Sequence, residues 1–93
     1  MNATGAVALT GSNQAVSATP AFYAGFSIRE TAGSTAVVRV WDNPSAAAGT
    51  VLEEIGLAAS ESAREYYPGG VWATKGIYVQ VVSGAVAGSV RIG

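Results

Sequence analysis

The sequence predicts an all-β domain, and three observations carry that reading. Its patterned segments alternate apolar and polar side chains with a period of two, they are rich in Val, Ile, Phe, Tyr and Trp, and turn signals separate them roughly every 8 to 12 residues. With 93 residues and 12 glycines for tight turns, the chain fits a small antiparallel β-sandwich or jelly-roll-like barrel of about seven to eight strands, with an extended N-terminal arm.

The arm comes first. Residues 1–20, MNATGAVALTGSNQAVSATP, are small, uncharged and mostly polar, and they end at Pro20. They read as an arm preceding a sandwich domain over residues 21–93. Val7 and Leu9 alternate with smaller residues, a pattern that a short strand shares with an arm reaching a neighbouring subunit. From Ala21 the alternation becomes regular, with Phe22, Ala24, Phe26 and Ile28 on one face and Tyr23, Gly25, Ser27 and Arg29 on the other. Ala32-Gly33-Ser34 turns the chain into a second strand, TAVVRVWD, in which Val38 and Val40 oppose Val37, Arg39 and Trp41.

Asn43-Pro44-Ser45 opens a loop, and Val51, Glu53, Ile55 and Leu57 resume the two-residue period. The stretch LAASESAREYY suits a short helix capped by Ser60 or a polar edge strand; the strands on both sides favour extended structure. Pro68-Gly69-Gly70 then reads as a hairpin-like connection. Val71 to Ala73, a Lys75-Gly76 turn, IYVQVV, a Ser83-Gly84 turn and Ala85 to Ile92 complete the chain, the last two strands as a terminal hairpin.

Composition narrows function. Charged residues make up only 12% of the chain against 49% hydrophobic, a poverty of charge that points to surface buried against other chains. Five basic residues stand singly along the sequence and the net charge is −1, so nucleic acid is not an expected partner. No apolar run approaches the ~18 residues that a membrane crossing needs, and the first basic residue is Arg29, so the expectation is a protein made in the cytoplasm that does not enter membranes.

Without His or Cys, the activated-nucleophile routes and most transition-metal sites are closed, and no cofactor is expected. Glu53 and Glu54 fall on opposite faces of a strand and cannot converge on one substrate. Glu61 and Glu65 share a face, which reads as a solvated, charge-bearing edge rather than an acid/base pair. The chain is therefore expected not to be an enzyme. Its candidate interface residues are aromatic: Tyr23 and Trp41, which fall opposite the cleanest apolar stripes, and Tyr66, Tyr67 and Trp72 around the PGGV segment. That cluster suits packing beneath a turn, an inter-subunit contact or a sugar-stacking platform.

Across residues 23–93 the chain resembles small proteins from the head-gene region of tailed phages that infect actinobacteria. The resemblance lies in Arg29-Glu30 at a strand end, VRVWDN, LEEIGLAASES, PGGV and the GIYV…SG…GSV pattern; the first twenty residues carry no matching feature. It implies a capsid decoration or cement protein: a compact β-sandwich, a homotrimer, seated on the major capsid protein lattice of the virion. The alternative reading is a carbohydrate-binding or adhesion module of a phage tail or fibre, or another tail subunit.

Overall fold

Ala36, Val38, Val40 and Asp42 are buried on one side of a strand while Val37, Arg39 and Trp41 stand on the other, and this alternation builds the protein. The computed structural model describes residues 5–93. Eight strands form two four-stranded antiparallel sheets: β1 (Gly5–Ala8), β2 (Gln14–Ser17), β3 (Ala21–Glu30), β4 (Ala36–Asp42), β5 (Thr50–Leu57), β6 (Ser62–Ala73), β7 (Ile77–Ser83) and β8 (Val86–Ile92). The front sheet has the order β1-β8-β3-β6 and the back sheet β2-β7-β4-β5. The small β-sandwich expected from sequence is what the chain forms.

Only β4 and β5 are neighbours both in the chain and in a sheet; every other link crosses between the sheets. The terminal hairpin expected from sequence is thus corrected: β7 pairs with β4 and β2, while β8 pairs with β3 and β1. A Ser-Gly turn signal marks a reversal of direction equally well whether the next strand joins the same sheet or the opposite one.

Residues 5–17 do not extend as an arm. β1 lies along β8 and β2 along β7, closing one side of both sheets, so the strand alternative holds for Val7; residues 1–4 lie outside the described residues. Gln14 ties the two strands together, its amide nitrogen donating to the Ala8 carbonyl while its side-chain oxygen accepts from the Thr10 N–H. The ambiguous stretch after Leu57 is extended, as favoured: a turn at Ala58–Ser60, then β6.

Pro68-Gly69-Gly70 does not reverse the chain. It lies inside β6, where the register against β3 slips, Tyr23 facing Val71 but Gly25 facing Tyr66. The extra residues on β6 form a bulge that leaves the strand direction intact. Gly25 makes this possible. At φ +134° it occupies backbone space that L side chains rarely adopt, and a Cβ there would fall 2.1 Å from the Glu65 carbonyl oxygen.

Between the sheets lie Tyr23, Phe26, Ile28, Val38, Val40, Ile55, Leu57, Ile77, Val79, Val86 and Val90, all buried. Burying one such large side chain contributes about 1.5 to 3 kcal/mol, and the set holds the sheets face to face. Two buried carboxylates fasten the ends. Glu30 accepts hydrogen bonds from the Ala32, Gly33 and Ser60 N–H groups, joining the β3–β4 and β5–β6 turns. Ser60 is held at φ +60°, the one non-glycine residue with positive φ among those described. Asp42 accepts from the Thr74, Lys75 and Gly76 N–H groups and from the Thr74 hydroxyl, fixing the β6–β7 turn.

Candidate functional site

The bulge decides which aromatic residues face inward. Simple alternation would put Phe22, Phe26 and Ile28 on one side; the slip between Tyr23 and Gly25 instead turns Tyr23 in with Phe26 and Ile28 and leaves Phe22 outside, 39% exposed. Phe22 is therefore not core, and Tyr23, fully buried, is not an interface residue. On the outer face of the front sheet Phe22 is paired across strands with Trp72, their ring centroids 4.8 Å apart at an angle of 57°. Trp72 is 50% exposed, and Tyr66, opposite Gly25 on the same face, is 55% exposed.

Beyond this aromatic end the same outer face is cationic. Arg91 on β8 and Tyr66 on β6 flank Gly25 from either side, so a gap without a side chain lies between them. Arg64 stands opposite Ser27, and Ser27 is also opposite Ser89; Arg29 stands opposite Ser62 and Ala87. Arg29 and Arg64 are diagonal neighbours on adjacent strands, a spacing of about 7 to 8 Å that long side chains bridge. An open hollow lies between the strands, lined by Ser27, Ser62 and Arg64. Three of the five basic residues of the chain thus share one face, and no Asp or Glu side chain among the described residues joins them there.

The acidic residues are engaged elsewhere or face away. Glu30 and Asp42 bind turns, and Glu61 accepts from the Ala58 N–H. Glu54 pairs with Arg39 on the outer face of the back sheet, the one salt bridge among the described residues. Glu65 is opposite Phe26 and so belongs to the other face of edge strand β6. Glu53 lies beneath the aromatic end, accepting hydrogen bonds from the Tyr23 hydroxyl at 3.1 Å and from the Tyr67 hydroxyl at 2.7 and 2.9 Å to its two oxygens.

That cluster spans the sandwich, because Tyr23 and Tyr67 come from the front sheet and Glu53 from the back sheet. Burial, followed by the hydrogen bond to and charge of Glu53, pushes the Tyr67 hydroxyl up to about 12; burial first and Glu53 second push Tyr23 upward as well. Tyr67 is therefore a structural anchor, turned inward and away from its neighbour Tyr66. Trp41 lies on the opposite side of the molecule, half-buried on the outer face of the back sheet, its indole N–H donating to Gln80 at 3.0 Å.

Comparison with known protein families, curated proteins and solved structures returned no match. What the chain offers is read from its own surfaces. Of the five aromatic residues expected at an interface, Tyr66 and Trp72 share one exposed face, Trp41 stands on the other broad face, Tyr67 is tied to Glu53 and Tyr23 is core. Sequence reasoning missed Phe22, Arg29, Arg64 and Arg91. Alternation did mark Arg29 as outward, but nothing in the linear order shows that Arg64 and Arg91 flank the same strand.

Proposed function

We propose that the protein is a non-catalytic virion subunit of the phage head-decoration type, seated on the major capsid protein lattice as a homotrimer and strengthening it by bridging neighbouring capsomers. The observation that carries a contact role is the exposed group of Phe22, Tyr66 and Trp72 beside three arginines with no ion-pair partner among the described residues, because Trp, Tyr and Arg are the residues that dominate binding energy at protein interfaces. The fold supports the same reading. The carboxylates Glu30, Asp42 and Glu53 hold turns and tyrosine hydroxyls in place, which suits a rigid scaffold presenting a surface. A subunit of this kind binds only the folded, assembled lattice and so stabilises it by mass action.

The test is co-sedimentation of purified protein with assembled heads, alongside its mass in solution by light scattering. Saturable binding and a trimer mass support the proposal. Protein that stays in the supernatant at micromolar concentration, or a monomer whose addition leaves the thermal stability of heads unchanged, overturns it.

A second reading, sugar binding, is favoured by half-exposed Trp72 alone, since Tyr67 is withdrawn and the Phe22 and Trp72 rings are tilted rather than coplanar. Glycan titration followed by tryptophan fluorescence separates the two readings: a stacking site quenches or shifts Trp72 emission, and a protein-contact face does not respond to sugar.

A further inference from the structure

We propose that the outer face of the front sheet docks an acidic protein surface, one in which an apolar recess accepts Trp72 and Phe22 and an adjoining row of carboxylates meets Arg91, Arg64 and Arg29. The inference rests on the contact role proposed above and adds the chemistry of the partner. Its first support is charge complementarity. Arg29, Arg64 and Arg91 stand on three adjacent strands with no Asp or Glu side chain on their face among the described residues, whereas Arg39 on the back sheet is neutralised by Glu54. An arginine left unpaired in this way offers a planar fork of donors that matches a carboxylate in two parallel hydrogen bonds.

A second copy of the chain is a poor occupant. Front face against front face sets arginine against arginine. Front against back meets Glu54 as the one outward carboxylate of the back strands, and Arg39 already holds it. Neither broad face of a second copy therefore matches the arginines, and the ligand that fits them brings its own unpaired negative charge.

The order of groups along the face argues for protein rather than single-stranded nucleic acid. A strand of bases needs aromatic platforms interleaved with cations along the backbone path. Here they are grouped rather than interleaved: Phe22 and Trp72 lie at one end of the β3–β6 pair, Tyr66 shares the next row with Arg91 across Gly25, and Arg64 and Arg29 follow with no aromatic side chain between them. That is the layout of an aromatic anchor beside a polar rim. Serines 27, 62 and 89 keep the cationic zone short-chained, so an approaching carboxylate reaches the arginines without displacing bulky neighbours.

The experiment uses the full chain carrying Trp41→Phe, so that Trp72 is the only tryptophan reporter. A synthetic glutamate-rich peptide with a leucine anchor, an oligothymidylate and heparin are titrated separately at low and physiological salt. The expected result is a Trp72 response to the peptide that weakens with salt, at least about tenfold weaker binding in the R29E/R64E/R91E triple variant, and unchanged binding in R39Q. Thermal melting confirms that each variant folds.

Four titration results overturn the inference: no peptide binding by the parent chain, undiminished binding by the triple variant, equal loss in R39Q, or tighter binding of oligothymidylate or heparin than of peptide. Head co-sedimentation separates this inference from the broader reading. If the parent chain sediments with heads and the folded triple variant does so equally, the acidic-partner inference fails while the decoration role stands. If neither sediments but the peptide result holds, the decoration role fails and the acidic-partner surface stands.

Discussion

The two outer faces of the sandwich are built from the same residue types and treat them in opposite ways. On the back sheet Arg39 is paired with Glu54 and the Trp41 indole N–H is satisfied by Gln80, so charge and polarity are settled within the face. On the front sheet Arg29, Arg64 and Arg91 have no ion-pair partner among the described residues, and Trp72 stands against Phe22 with half its surface exposed. A face that satisfies itself has little to offer a partner. A face with unpaired forks and exposed rings retains interaction energy for a second molecule.

The largest effect expected concerns the bulge that shapes the front face. Gly25→Ala puts a Cβ against the Glu65 carbonyl at a strongly positive φ, and should destabilise the fold by about 3 kcal/mol or more, read as a lower midpoint in chemical denaturation. A near-parent midpoint would mean that the slip between Tyr23 and Gly25 does not depend on glycine, and that the outward turn of Phe22 needs another cause.

Next in size is the tyrosine–carboxylate cluster beneath the same end. Glu53→Ala leaves the Tyr23 and Tyr67 hydroxyls without their acceptor and should cost about 1 to 3 kcal/mol. Its alkaline signature has a definite sign. Both hydroxyls ionise less readily in the folded protein than in the unfolded chain, so their contribution is complete below pH 10 and falls as pH rises above 10, the Tyr67 share being lost through about 12 and the Tyr23 share at still higher pH. Denaturation midpoints that stay flat across that range in the parent chain would dissolve the cluster.

The acid side tests the turn anchors. The Glu30 carboxyl is held below its ordinary range chiefly by the Ser60 N–H, with the Ala32, Ser34 and Gly33 N–H groups added against an opposing burial effect. Burial raises Asp42, but the Lys75 and Thr74 N–H groups, the Thr74 hydroxyl and the Gly76 N–H together lower it. Depressed carboxyls stabilise the fold above their unfolded values and lose that contribution as pH falls through the folded ones. Stability should therefore decline below about pH 4.5, and Glu30→Gln and Asp42→Asn should each flatten that decline in acid titrations followed by circular dichroism.

Smallest is the direct comparison of the faces. Arg39→Gln removes an exposed ion pair and should cost about 0 to 1 kcal/mol, while R29Q, R64Q and R91Q remove no pair and should each shift stability by no more than about 0.5 kcal/mol. Melting temperatures check this. A large loss from any front-face arginine would show that it supports the fold, and the contrast between the faces would then disappear.

Fold class was legible because alternation and turn residues are local signals. TAVVRVWD showed which of its residues face inward, and Glu53 and Glu54 do point apart as their adjacency requires. Strand pairing was not legible, because a turn does not say to which sheet the next strand belongs; hence the supposed terminal hairpin and the supposed arm. Tyr23 and Phe22 exchanged places for a related reason: a bulge on β6, forty-odd residues downstream, shifts the register of β3.

By itself, then, the sequence determined that the chain is all-β, how many strands it has room for, and that the usual catalytic groups His and Cys are absent, since each of these follows from residue type and short-range period. Tertiary structure alone decided that Arg29, Arg64 and Arg91 share a face, that Tyr67 turns in to Glu53 while Tyr66 turns out, and that Phe22 meets Trp72. Those juxtapositions are made by cross-strand register between segments far apart in the chain, and register is set by the whole packed sandwich rather than by any one strand.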